Sequence, residues 1–435
     1  MNSGIKIWKK AIKIIPGGNG LLSKRPHRYL PNHWPTYFTK SKGINIWDLN
    51  KKKYIDFCQM AIGTCALGYS NNYVDRAVKK AIDSGVNSTL NSLDEYNLAK
   101  KFLKYNKFAE QVKFARGGGE AMSIAIRIAR AKTGKDVIAF SGYHGWTDWY
   151  LAANIKNKKT LDEHIVPGLE PLGVPKKLKN CIFSIEYNNL KQLKKLAKKK
   201  NVAAMVVEGF RYEYPSKKFI KEIQKICNKN KICLIIDEIT SGWRESIGGI
   251  YKKLKLRPDI VVYGKAIGNG YAISSIVGKK KFMLYANKSF ISSTAWTEKV
   301  GFAAANATLD YFIKHKVYLH IPKIGKMLSL GWKKIAKKNN IKLKVSEVLP
   351  LCTFFLDYSN REELYTFFTK EMLKEKYLAS NSVWLSFSHK NKDIKKYLVS
   401  CDKVFKKMNY FIKNKEKLNK YDIRYSSLYR IKNGQ

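Results

Sequence analysis

The chain has 435 residues, 45% of them hydrophobic, which suffices for a large core and for more than one lobe. Its formal charge of +50 suggests nucleic acid. However, only 12 of the 83 basic residues are Arg and the lysines are spread along the chain, which argues against a dedicated phosphate- and guanine-reading surface. No stretch approaches the roughly 18 uncharged apolar residues of a membrane span. The opening MNSGIKIWKKAIKIIPGG alternates Ile and Trp with Lys, unlike a secretory signal, so a soluble cytoplasmic protein is expected.

In chain order, residues 34–58 show short alternating runs broken by SKG and LNKKK, the spacing of a small antiparallel sheet. From about residue 72 helices alternate with short apolar runs. QVKFAR reads as a strand, and EAMSIAIRIARAK as a helix with Ala121, Ile124, Ala125 and Ile128 on one face. DVIAFSG, NCIFSI, AAMVVEG, ICLIID and DIVVYG are further strands, continuous enough for a parallel sheet covered on both faces. From about residue 310 the chain is helix-rich, with a strand at LCTFFLDY and a last helix around YLVSCDKVFKKMNYFI. The expected fold class is α/β: a large domain over residues 61–309, and a smaller domain built from segments 1–60 and 310–435. The seven cysteines form no CxxC pair and lie among apolar residues, which points to buried thiols and to no zinc site.

Ligands of open parallel sheets collect at the carboxyl ends of the strands, and the chemistry-bearing residues stand there. In FARGGGEAMS, three glycines between a strand and a helix let a ligand approach the backbone, and the free N–H groups of the helix start suit an anion. Tyr143 and His144 sit in a glycine-flanked turn, Glu208 ends MVVE, Asp237 ends LIID, and Lys265 follows VVYG. Singly, each has a plainer reading as a packing turn, a loop cap or a solvated lysine. Together, a phosphate cradle, a stacking aromatic, a carboxylate and a lysine are what pyridoxal phosphate needs.

The runs GGGEAMSIAIRIARAKTG, YHGW, LIIDEITSGWR, RPDIVVYGKAIGNGYAISSIVG and SSTAWTE resemble the class III, fold type I pyridoxal-phosphate-dependent aminotransferases, in a branch similar to glutamate-1-semialdehyde aminomutase. The resemblance implies a mostly parallel seven-stranded sheet in the large domain, an α+β small domain from both termini, and a homodimer with shared active sites. It implies that Lys265 is the Schiff-base lysine, that Asp237 partners the pyridine nitrogen, and that Gly118 and Gly119 bind phosphate. Tyr143 and Ile239 would flank the ring, Glu208 would lie near its phenolic edge, and Thr294 would reach the phosphate of the neighbouring subunit. The chain departs from the pattern in GGGEA, which lacks hydroxyl donors before Glu-Ala, and in AWTEK, where aminomutases carry Gly-Asn-Pro. Ser23, Lys24, Arg25 and His144 are the candidates for substrate contact, the first three equally readable as a solvated basic turn. The expected activity is amino transfer from a small-molecule donor to a carbonyl acceptor, which the resemblance places among precursor-forming steps of surface polysaccharides. An intramolecular aminomutase, a relative without catalysis and a basic polyanion-binding protein are the alternatives.

Overall fold

Seven strands form the central sheet: β1 (Gln111–Ala115), β2 (Val137–Ser141), β3 (Ile182–Ser184), β4 (Val202–Glu208), β5 (Cys233–Asp237), β6 (Ile260–Tyr263) and β7 (Ser274–Gly278). Their order is β1-β7-β6-β5-β4-β2-β3. β7 is antiparallel to both of its neighbours while the other pairings are parallel, so β7 alone runs against the rest. The carboxyl ends of β1, β2, β4, β5 and β6 therefore share one edge. Every residue of β4 and β5 is buried, as expected of strands covered on both faces. Each fully buried Val or Ile there contributes roughly 1.5–3 kcal/mol.

One cover is helix α1 (Gly118–Thr133), which buries Ala121, Met122, Ile124, Ala125, Ile126, Ile128 and Ala129. These join Ile138, Phe140, Ala204, Val206, Ile235 and Val262 in one core. The helix ends where Gly134 turns left-handed at φ 64°, and the Gly134 N–H donates to the Arg130 carbonyl.

This computed structural model describes residues 3–162, 164 and 167–425, and falls into two units. The sheet belongs to the unit spanning Asn72–Leu319; the other joins described residues 3–71 to 320–425. The sequence reading divides the chain at 60/61 and 309/310 instead. In the second unit, strands Phe38–Lys42, Asn45–Asp48 and Lys53–Phe57 form an antiparallel meander. Tyr377–Ala379 adds to it in parallel, tying the two ends of the chain into one sheet. Leu343–Val345, Leu351–Leu356 and Ser382–Trp384 form a second sheet, and helix Asn391–Lys413 buries Ile394, Tyr397, Cys401, Val404, Phe405, Met408 and Phe411.

None of the seven cysteines forms a disulfide; six are buried and Cys181 is half-buried. Among the described residues no helix is long and apolar enough to cross a membrane, and no cluster of three metal-ligating side chains occurs.

Candidate active site

Strand register sets the first pair of functional groups. Glu208 and Asp237, the last residues of β4 and β5, are direct partners across the parallel ladder, and Asp237 is in turn paired with Val262 of β6. Lys265 lies three residues beyond Val262. Two buried carboxylates and a lysine thus emerge from adjacent strand ends.

Asp237 is 2% exposed, and such burial of a carboxylate demands partners. Its Oδ1 accepts the Ile239 N–H at 3.0 Å, and its Oδ2 lies 2.8 Å from His144 Nδ1. The other ring nitrogen of His144 faces the Ser141 carbonyl at 3.3 Å, and Trp149 stacks beside the imidazole. His144 is 1% exposed with both nitrogens engaged, so it is a buttress of Asp237. The sequence-based expectation gives His144 a substrate contact; in the structure its ring nitrogens face Asp237 and the Ser141 carbonyl.

Glu208 is 1% exposed. Its Oε2 accepts the Tyr143 N–H at 3.1 Å and lies 3.6 Å from Arg211 Nη1, whereas Oε1 is buried without a hydrogen-bond partner among the described residues. Gly142 permits this approach. It sits at φ 112°, and a Cβ there would fall 2.5 Å from the Glu208 Cβ.

The glycines at the start of α1 are held equally closely. A Cβ on Gly118 would lie 3.0 Å from Ile239 Cδ1, and one on Gly119 would lie 3.3 Å from Trp146. Gly145, at φ 103°, brings the 142–146 turn so near that its Cβ would reach 2.9 Å from the Gly119 Cα. The first N–H groups of α1 have no partner within the helix and offer an anion site. Near this end the Ser123 hydroxyl donates to the Gly119 carbonyl at 3.0 Å and lies 3.1 Å from Thr147 Oγ1.

Lys265 opens a short 3-10 turn at φ 45°, a left-handed conformation that costs a side-chain-bearing residue on the order of 1–3 kcal/mol. It is half-buried, and its Nζ donates to Thr240 Oγ1 at 2.7 Å. Burial lowers its pKa to about 8. The Glu208 charge opposes that shift, Arg244 and Arg211 add to it, and Asp237 opposes it more weakly. Ile239 approaches Gly264 as well as Gly118, so it stands between Lys265 and the helix start.

The remaining sequence-based candidates are Thr294, Ser23, Lys24 and Arg25. Thr294 is exposed, at the start of the 3-10 turn Thr294–Thr297. Arg116 anchors that turn by donating to the Ala295, Trp296 and Glu298 carbonyls, and Trp296 Nε1 donates to Glu120 in α1. Ser23, Lys24 and Arg25 belong to the other unit. There the Ser23 carbonyl accepts the Tyr29 hydroxyl, Lys24 ends a short 3-10 turn, and the guanidinium of Arg25 packs on Gly17. Sequence reasoning missed Thr240, Arg211 and Arg244. Thr240 and Arg244 stand inside the quoted DEITSGWR, and Arg211 lies three residues after Glu208, but only the fold shows what they touch.

The sequence profile of the aminotransferase class-III family matches residues 29–360. The chain belongs to this family. Among its relatives, 3-aminobutyryl-CoA aminotransferase of Cloacimonas acidaminovorans is 30% identical over 83% of this chain and 87% of its own. Glutamate-1-semialdehyde 2,1-aminomutase of Thermodesulfovibrio yellowstonii is 29% identical over 93% and 98%. The solved internal aldimine form of the Sphingopyxis FumI protein, with its PLP, superposes with a TM-score of 0.84 at 24% identity, covering 94% of this chain and 97% of that one. A glutamate-1-semialdehyde aminomutase of Pseudomonas aeruginosa gives 0.81 at 15% identity, over 93% and 94%. Both carry the fold type I architecture.

This class-III aminotransferase is thus an enzyme whose cofactor is pyridoxal phosphate, and its residues fit that group. Glu208 leaves one buried oxygen to be satisfied, two glycines open a cradle that a Cβ would fill, and a lysine of lowered pKa stands beside a buried carboxylate. The basic polyanion-binding alternative is set aside by the family.

Proposed function

We propose that this enzyme moves an amino group from a small-molecule donor to a carbonyl acceptor, with Lys265 as the covalent anchor and proton carrier and Asp237 as the partner of the ring nitrogen. The observation that carries this reading is the convergence of Glu208, Asp237 and Lys265 at neighbouring strand ends.

When bound, pyridoxal phosphate supplies an aldehyde that condenses with amines and a protonated ring that takes up electrons. Lys265 offers the amine. With its pKa at about 8 it is partly neutral near physiological pH, so it can act as nucleophile and afterwards take or return a proton. The Thr240 hydroxyl aims its Nζ. Asp237, fixed by His144 and the Ile239 N–H, holds a negative charge where a proton on the ring nitrogen is to be kept. Glu208 would meet the phenolic edge with its open oxygen, Gly118 and Gly119 would hold phosphate, and Tyr143 and Ile239 would cover the ring faces. Thr294 would serve the partner subunit of a homodimer. His144 supports Asp237, and Ser23, Lys24 and Arg25 remain candidates for substrate contact.

Amino transfer between two molecules is favoured by the likeness to 3-aminobutyryl-CoA aminotransferase and by AWTEK, which departs from the aminomutase pattern. The second reading is intramolecular amino transfer, as in glutamate-1-semialdehyde aminomutase, whose relative covers more of the chain. Following the yellow band of the purified enzyme while single amines are added separates them. A donor amine that bleaches the band until a carbonyl acceptor restores it supports transfer between molecules. Turnover of one aminated carbonyl compound with no second substrate supports the mutase.

A further inference from the structure

The loop after β4 carries Arg211, a cation at the edge of the candidate site. Its guanidinium is half-buried, and Nη1 lies 3.6 Å from Glu208 Oε2, the same oxygen that receives the Tyr143 N–H. The guanidinium also lies over two rings, 5.2 Å from the centroid of Tyr143 and 5.6 Å from that of Tyr212. One side chain therefore contacts both the buried acid and the aromatic of this site. Arg211 also lines a cavity of about 450 Å³ with Gly142, His164, Glu186, Tyr187, Tyr212 and Glu213.

Glu208 faces two sources of positive charge, and only one is permanent. Lys265 must shed its proton to act as a nucleophile, so its charge varies through the reaction, whereas a guanidinium stays protonated throughout. Burial by itself would lower the Arg211 pKa, but Glu208 and the tyrosines around it raise it overall. The charged groups felt by Lys265 are Glu208, Arg244, Arg211 and Asp237. Of the two arginines, Arg211 is the one ion-paired with Glu208; the Nε of Arg244 donates to the Thr240 carbonyl.

We propose that Arg211 is a positioning residue of the active site: the permanent counter-charge of Glu208 and the support of the Tyr143 ring, so that both keep their places whatever charge Lys265 carries. It acts through these two side chains and needs no contact with substrate. The inference rests on the pyridoxal-phosphate reading of Lys265 and Glu208.

The test is a pH titration of the cofactor absorbance band in purified holoenzyme. Removing the guanidinium in Arg211→Met leaves Glu208 uncompensated beside the lysine nitrogen. The midpoint should then rise by about one pH unit. Arg211→Lys should stay near wild type, Glu208→Gln should lower the midpoint, and the Arg211→Met/Glu208→Gln pair should return it towards wild type. A purely packing role would not produce this compensation. If Arg211→Met loses its colour, recovery of colour in the double variant supports the same balance. The inference is overturned if Arg211→Met titrates like wild type, if the double variant matches Glu208→Gln alone, or if both Arg211→Met and the double variant stay colourless. A wild-type protein with no cofactor band would instead remove the functional reading itself.

Discussion

A lysine held at φ 45° with its amine on a threonine hydroxyl is costly to build, and the cost shows where the chemistry lies. Because the folded pKa of Lys265 is lowered to about 8, the cofactor-free protein binds one proton fewer than its unfolded chain between about pH 8 and the unperturbed lysine value. Its stability should therefore rise with pH across that window, and the penalty is fully present below it. Urea unfolding at pH 7 and pH 9.5 should show cofactor-free wild type gaining roughly 1–2 kcal/mol relative to Lys265→Met. Equal pH dependence in the two proteins would mean that the amine is not desolvated. Lys265→Ala should reduce turnover by at least ~10²–10⁴-fold from loss of the proton carrier alone, measured as single-turnover rates. At this scale the sequence shows a residue's place more readily than its partners. Lys265, Asp237 and Glu208 are marked because each ends an apolar run. The roles of Thr240 and Arg211 depend on where their hydroxyl and guanidinium come to rest, and no periodicity encodes that.

The glycine turn and helix α1 form one device at the scale of elements. Gly145 and Gly134 both have positive φ, yet their surroundings differ: a Cβ on Gly145 would press on the Gly119 backbone, while one on Gly134 meets nothing within 4 Å. Gly134→Ala should thus cost only about 1 kcal/mol and leave cofactor affinity intact. Gly145→Ala should cost roughly 1–3 kcal/mol and also weaken cofactor binding, because the displaced turn pushes on the glycines proposed to cradle phosphate. Thermal melts and cofactor dissociation constants of the two variants check this; equal affinities would separate the turn from the cradle. Six of the seven strands and α1 are legible in sequence because their runs and amphipathic face repeat regularly, whereas β7 is not among the strands expected. The reversed direction of β7 is not legible either, since SSIVG reads alike either way. Nor is the inward turn of His144, which follows from its meeting with Asp237, 93 residues away.

The whole molecule carries its charge of +50 mostly as dispersed lysine, so adhesion to polyanions should be weak and fade with salt. Function at this scale concerns assembly. Arg116 and Glu120 tie the exposed Thr294–Thr297 turn to the start of α1, so in the proposed homodimer Thr294 would serve the neighbouring subunit from a fixed place. Light scattering should give twice the 50.0 kDa of the chain. Mixing Lys265→Ala with Thr294→Ala chains should restore activity above either parent, towards about a quarter of wild type, because half of a random dimer mixture gains one intact site. No recovery would place Thr294 in the service of its own subunit. The small unit shows the limit of linear reading: its meander is visible in residues 38–57, but its fourth strand arrives from residues 377–379.

The proposed chemistry as a whole requires a covalent bond between the Lys265 nitrogen and the cofactor. Borohydride reduction of the yellow enzyme, followed by digestion and mass spectrometry, tests it most directly. The expected product is a single pyridoxyl-bearing peptide modified at Lys265. A tag on another lysine, or an untagged Lys265 peptide from fully reduced enzyme, would contradict it.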